Sequence, residues 1–195
     1  MKHLDLGCGL NPKNQFNATE LYGCDIRDLT SELSIRGIKF RPANLVLESI
    51  PFEDNYFDSV SAMDFLEHIP RQIVDTEGKI RNSFVELMNE IYRVLKPNGT
   101  FFALTPIFPH PWAFIDPTHV NIMSNKSYTY FIGAENHGQM YGFKGNFNKK
   151  EVYMDTPNNY SKENENSVKK TLRRLHRKFL RGGLSHQVWI LQAIK

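Results

Sequence analysis

The chain has 195 residues, 41% of them hydrophobic and 23% charged, an ordinary globular composition that excludes a disordered chain and suits one domain with its own core. No apolar run approaches the about 18–20 residues of a membrane span, and no charged-then-apolar leader opens the sequence, so a cytoplasmic protein is expected. Two cysteines, Cys8 and Cys24, exclude a disulfide framework and a cysteine-built zinc site. The net charge of +3 divides unevenly. Residues 1–160 carry −4 and residues 161–195 carry +7, which points to an appended basic segment with its own partner.

Met1–Leu6 reads as a short buried strand running into Gly7-Cys8-Gly9, and residues 21–26 as a second strand. A third covers residues 38–41, and the alternation from Phe57 to Met63 predicts a fourth. Ile80, Phe84, Leu87, Met88, Ile91 and Leu95 recur at helical spacing, so a helix is predicted over 80–95, stopped by Lys96-Pro97-Asn98-Gly99. Thr100–Thr105 reads as the fifth strand and residues 188–195 as the closing one. Strands alternating with helices imply an α/β fold with a largely parallel sheet.

The stretch 106–160 interrupts that rhythm. Residues 101–147 hold 11 of the 24 aromatic residues, which serve either a second small core or a cap over the carboxyl ends of the strands, where open α/β sheets bind ligands. Residues 158–166 are polar and read as a linker. Residues 167–182 read as a helix, with Val168, Leu172, Leu175 and Phe179 in one stripe and seven basic residues elsewhere, ended by Gly182-Gly183.

Glycines at positions i and i+2 after the first strand allow a sharp turn and close approach of a ligand to the backbone. The third glycine of the dinucleotide fingerprint is replaced by Pro12. Asp5, two residues before the turn, would repel a pyrophosphate and attract an ammonium or sulfonium group. Asp25 ends the second strand, sixteen residues after Gly9, where an acid accepts hydrogen bonds from ribose hydroxyls. The combination favours a ligand with a ribose and no pyrophosphate, and disfavours a nicotinamide dehydrogenase.

The sequence resembles a class I S-adenosylmethionine-dependent methyltransferase of the small bacterial-type group. Four stretches carry the likeness: Leu4–Pro12 (LDLGCGLNP), Gly23–Ile26 (GCDI), Ile50–Pro70 (IPFEDNYFDSVSAMDFLEHIP) and Glu90–Pro106 (EIYRVLKPNGTFFALTP). The resemblance implies a Rossmann-like seven-stranded, mostly parallel sheet with helices on both faces and one antiparallel strand near its end. It implies a cofactor-binding core over 1–106, a substrate cap over 106–160, and a basic helix with a closing strand over 161–195. The cofactor is S-adenosylmethionine, leaving as S-adenosylhomocysteine. Gly7, Cys8, Gly9 and Asn11 would pass beneath its methionine portion, with Asp5 facing the ammonium group. Asp25 would hold the ribose, Ile26 the adenine, and Asn44 with Leu45 the adenine edge. Met63, Asp64 and Phe65 would line the cofactor, with His68 nearby. On the residues alone, Asp64 and Glu67 could equally cap a following helix, and Cys8 is a small residue in a tight loop. His3 and His186 have no motif around them.

Methyl transfer is an in-line displacement in which the protein mainly positions the reactants, and a hydroxyl acceptor also needs a base. Candidates lie in Pro109–His119, where prolines restrict the backbone. His119 is the expected base, with Asp116 orienting it and His110 close by. The alternative is an Asp–Thr–His turn that satisfies its own backbone. A His/Asp metal site ranks below both because the spacing matches no recognised pattern, so no metal is expected. Pro-His followed by Asp-Pro-Thr-His is similar to methyltransferases of surface-polysaccharide and natural-product pathways, which implies a small-molecule or glycan acceptor, with Trp112, Phe114, Tyr128, Tyr130 and Phe131 as stacking faces. The basic helix is a solvated packed helix, a contact for anionic lipid at the inner face of a membrane, or a nucleic-acid contact. The last is weakened because Phe179 alone interleaves with the bases. An RNA or protein methyltransferase and a non-catalytic S-adenosylmethionine-binding module are the alternatives. The oligomeric state is not legible.

Overall fold

The computed structural model describes residues 1–134, 136–157 and 183–195, together with Leu172 and Leu175, both helical. The described elements run β1 (Lys2–Leu6), β2 (Glu20–Asp25), α1 (Thr30–Ser34), β3 (Lys39–Pro42), β4 (Phe57–Met63), β5 (Ile73–Val74), β6 (Ile80–Arg81), α2 (Ser83–Val94), β7 (Leu95–Pro106), β8 (Phe147–Asp155) and β9 (His186–Ala193). Seven strands form one sheet in the order β3-β2-β1-β4-β7-β9-β8, and β5 pairs with β6 in a separate hairpin. The sheet is parallel except for β9, which is antiparallel to both its neighbours. This is the seven-stranded, mostly parallel sheet with one antiparallel strand near its end that the resemblance implies.

Alternation along β1 and β4 sends Leu4, Leu6, Val60 and Ala62 into the main core, where they meet Phe84, Leu87, Met88 and Ile91 of α2. The opposite face of the same strands carries His3, Asp5, Ser59 and Ser61, all buried. The chain order reverses between β1 and β4, so their carboxyl ends flank a crevice of the kind in which α/β sheets bind ligands.

Several boundaries move from the sequence reading for physical reasons. The predicted helix over 80–95 begins at Ser83, because Ile80 and Arg81 pair with Val74 and Ile73. Lys96–Gly99 does turn the chain, but as a bulge inside β7: Phe57 pairs with Leu95 and Ser59 with Thr100, and Asn98 has φ 63°. The segment between β1 and β2 crosses without an α-helix and contributes Phe16, whose ring meets Phe102 edge-on at 6.2 Å.

The larger correction concerns 106–160. Its last part, Phe147–Asp155, is the edge strand β8, whose run Asn148–Glu151 is exposed and charged and so shows no apolar alternation. Phe131, Phe143 and Phe147 enter the main core, while Trp112, Phe114 and Tyr130 remain exposed. The predicted basic helix over 167–182 lies outside the described residues, Leu172 and Leu175 excepted. No helix among the described residues is long and apolar enough to cross a membrane.

Candidate active site

The loop after β1 turns on Gly7 and Gly9, at φ 62° and 53°, a region that side chains disfavour. A Cβ at Gly7 would come within 2.3 Å of the Phe65 ring, so the end of β4 packs directly on the glycine loop. Asp5 lies beneath this loop and is buried. Its Oδ1 accepts the Ser61 hydroxyl and its Oδ2 accepts the Lys13 N–H at 2.8 Å. The sequence reading sets Asp5 opposite an ammonium group; the structure turns it inward as the fastening of residues 7–13. Burial pushes its carboxyl up to about 7, against the pull of Ser61 and of Lys13. Cys8 bonds the Gly9 carbonyl, and burial raises its thiol to about 12, which makes it inert.

Asp25 ends β2 with Oδ2 accepting the Gly9 N–H at 2.9 Å and Oδ1 accepting the Arg27 N–H and Nε at 3.1 and 3.0 Å. Burial pushes its carboxyl up, but the Arg27 side chain and the two backbone donors outweigh that and hold it below the usual carboxylate range. Beside it Ile26 is exposed. A left-handed glycine loop, an ionised acceptor at the end of β2 and an exposed apolar residue next to it fit S-adenosylmethionine, whose ribose would take the Asp25 oxygens in place of the Arg27 guanidinium.

Other predicted cofactor residues are engaged locally. Asn44 Oδ1 accepts the Val46 N–H at 3.2 Å, and Leu45 is in the main core. Met63 packs with Phe16 and Leu104, and its sulfur accepts Gln15 Nε2 at 3.4 Å. Asn11 is exposed. Asp64 sits at φ 47°, with Oδ1 3.1 Å from Nε2 of the buried His186.

The acid and histidine groups converge where β4 and β7 end. Glu67 follows β4 and is buried; its Oε2 accepts the Thr105 hydroxyl at 3.0 Å, and burial pushes its carboxyl up to about 8. Val120 and Asn121 N–H donate to the Glu67 carbonyl, which draws the 116–121 loop onto β4. His119 Nε2 thereby stands 3.9 Å from Glu67 Oε1, and the His68 and His119 rings meet edge-on at 4.9 Å.

Asp116 does not orient His119. It makes a tight turn in which its Oδ1 accepts the N–H and the hydroxyl of Thr118 at 2.8 and 2.6 Å, and the Thr118 oxygen contacts His68 Nδ1 at 2.9 Å. His110 Nδ1 accepts the Trp112 N–H at 3.2 Å, which opens the short turn Pro111–Ala113. The predicted trio is therefore divided: His119 joins Glu67, Asp116 joins His68 through Thr118, and His110 caps a turn. Sequence reasoning takes Glu67 for a helix cap, gives His186 no role, reaches Thr118 only through the alternative Asp–Thr–His turn, which the structure forms, and passes over Thr105. The neighbouring Glu67-His68 pair, at the end of a predicted strand, was the one available signal.

A family profile described as a methyltransferase domain matches residues 4–103. The squalene methyltransferase 1 of Botryococcus braunii is 26% identical over 137 residues, or 64% of this chain and 33% of that protein, so the match spans about a third of the relative's length. Among solved structures, a SAM-dependent methyltransferase from Archaeoglobus fulgidus aligns with a TM-score of 0.57 at 17% identity, covering 98% of this chain and 85% of that one. Its counterpart from Mesorhizobium loti gives 0.55 at 16%, covering 98% and 90%. The cyclase SpnF gives 0.58 at 17%, covering 99% and 74%. At these identities the likeness is one of fold, and a protein named a cyclase among them shows that the reaction must be argued from the site.

Proposed function

The chain belongs to the methyltransferase-domain family, and from that premise we propose that it transfers a methyl group from S-adenosylmethionine to a hydroxyl of a small acceptor, a sugar or a lipid-linked molecule. Bound at the glycine loop, S-adenosylmethionine supplies an electrophilic methyl group on a good leaving group. The chain's own work is then to hold the acceptor oxygen in line and to remove its proton as the new bond forms, a contribution of about 10²–10⁴-fold.

The observation that carries the oxygen reading is the group formed by Glu67, His68 and His119. An amine acceptor needs alignment and desolvation, whereas a buried carboxyl group facing an imidazole at the sheet's carboxyl edge suits an acceptor that must lose a proton. The exposed rings of Trp112 and Phe114 follow β7 and offer faces on which a sugar stacks. The basic run of 167–182, with no acid in it, supports a phosphate-bearing lipid-linked acceptor or an anionic membrane surface.

Labelled methyl transfer into lysate fractions sorted as glycan, lipid, RNA and protein tests this reading. Label in the glycan or lipid fraction is expected. Label confined to RNA or protein would overturn the acceptor class, and none anywhere, with cofactor binding intact, would make the chain a binding module.

A further inference from the structure

Building on the hydroxyl-methylation reading, we propose that Glu67, His68 and His119 bind a divalent first-row transition cation, Zn²⁺ by its donor set, with one coordination position left for the acceptor hydroxyl. The ligand atoms of the three residues lie within 4.8 Å of one another. Zinc bonds of about 2.0–2.2 Å place tetrahedral ligands about 3.4 Å apart, so small side-chain rotations close the site. One carboxylate with two imidazoles is the donor set of zinc sites that keep an open position.

One orphaned atom points into this cluster: Glu67 Oε1 is buried, has no hydrogen-bond partner among the described residues, and faces His119 Nε2 at 3.9 Å. Native proteins rarely leave such an atom unsatisfied, and a cation would engage it directly. The other oxygen of Glu67 is held by Thr105, which fixes the free one in place.

His68 has the kind of outer partner that a metal site requires. Asp116 Oδ1 accepts both the Thr118 hydroxyl and the Thr118 N–H, at 2.6 and 2.8 Å. The Thr118 hydroxyl therefore donates to Asp116 and accepts from the His68 Nδ1–H, which leaves the lone pair of His68 on Nε2. Fixing a ligating imidazole through its second nitrogen to a carboxylate-backed partner is the usual outer arrangement of metal-bound histidines.

Such a cation makes the hydroxyl at its open position more acidic. The hydroxyl proton passes to water, the oxygen lone pair forms the bond to the methyl carbon, and the carbon–sulfur bond breaks with its electrons going to sulfur. His119 then serves as a ligand, and the three side chains assist loss of the proton to water by holding the metal.

The test uses the full chain stripped with a chelator, titrated with ZnCl₂ by calorimetry and with CoCl₂ by visible absorption. One equivalent is expected to bind, with cobalt showing the intense bands of a four-coordinate site. Glu67→Gln and His119→Asn should each abolish this signal, Thr118→Val should weaken binding about 10–100-fold, and His137→Asn, at an exposed position, should leave it unchanged. Absence of binding by the unaltered chain, binding that survives the His68→Asn/His119→Asn double substitution, or methyl transfer undiminished after chelation would each overturn the site. S-adenosylhomocysteine affinity on the same samples reports folding and tests the cofactor reading separately: its retention without zinc binding removes the metal alone.

Discussion

Arg27 donates its Nε to Asp25 Oδ1 at 3.0 Å, so the acid that ends β2 already has a cationic partner on the outer side of the glycine loop. A ribose reaching Asp25 must displace that guanidinium, which is largely exposed and so weakly held. Arg27→Ala should therefore tighten S-adenosylhomocysteine binding by about two- to fivefold. Asp25→Ala should weaken it at least about tenfold, the loss expected when hydrogen bonds to a charged acceptor are removed. Calorimetry on both variants decides the matter: weaker binding in Arg27→Ala would make the arginine part of the pocket.

A second prediction comes from the buried polar face of β1 and β4. His3 lies between the Ser59 and Ser61 hydroxyls at 2.7 and 2.9 Å, and Ser61 in turn donates to Asp5. Burial lowers His3 to about 4 and raises Asp5 to about 7. The His3 contribution to stability is present above about 6.5 and lost as pH falls through about 4, because the unfolded chain then binds a proton the fold cannot. The Asp5 contribution has the opposite sign: it is present below about 4 and lost as pH rises through about 7. Between these limits the two slopes nearly cancel. Urea unfolding across pH 4.5–6.5 should then show stability that falls with pH in His3→Asn and rises with pH in Asp5→Asn, each relative to the unaltered chain, by about 1.4 kcal/mol per unit at most. Equal slopes in all three proteins would sink the assignment.

These two cases show what was legible in the sequence. The strand–glycine–strand–acid order of Leu4–Pro12 and Asp25 could be read because each residue's neighbours along the chain determine its role. Asp5 was legible as functional and illegible in direction, because Ser61 and Lys13 reach it through strand pairing and loop folding. Glu67 and His119 are 52 positions apart, and only the docking of Val120 and Asn121 on the Glu67 carbonyl brings them together. β8 escaped because its four consecutive exposed residues, Asn148–Glu151, leave no alternation to detect.

The close approach of Phe65 to Gly7 gives a third prediction. Both Gly7 and Gly37 have positive φ, but a Cβ at Gly37 meets nothing within 4 Å. Gly37→Ala should cost only the left-handed backbone penalty, about 1–2 kcal/mol. Gly7→Ala should cost that and a further amount for overpacking against Phe65, about 1–3 kcal/mol. Adding Phe65→Ala to Gly7→Ala should remove the overpacking share in a double-mutant cycle measured by urea unfolding. A cycle with no coupling would mean that the ring does not rest on the loop.

The division of the histidine cluster makes a kinetic prediction. If Glu67 is the carboxylate that serves His119, and Asp116 acts only through Thr118 on His68, the two acids should not be equivalent. His119→Ala and Glu67→Gln should each lower kcat about 10²–10⁴-fold while leaving S-adenosylhomocysteine affinity unchanged. Asp116→Asn keeps an oxygen that can still accept the Thr118 hydroxyl, so it should cost far less than either, and Thr118→Val should reproduce whatever effect Asp116→Asn has. Because Asp116 and Thr118 act in series, the double substitution should be no worse than the larger single one. An Asp116→Asn loss as large as that of His119→Ala would instead place Asp116 in direct service of His119, and the separation of the two pairs would fall with it.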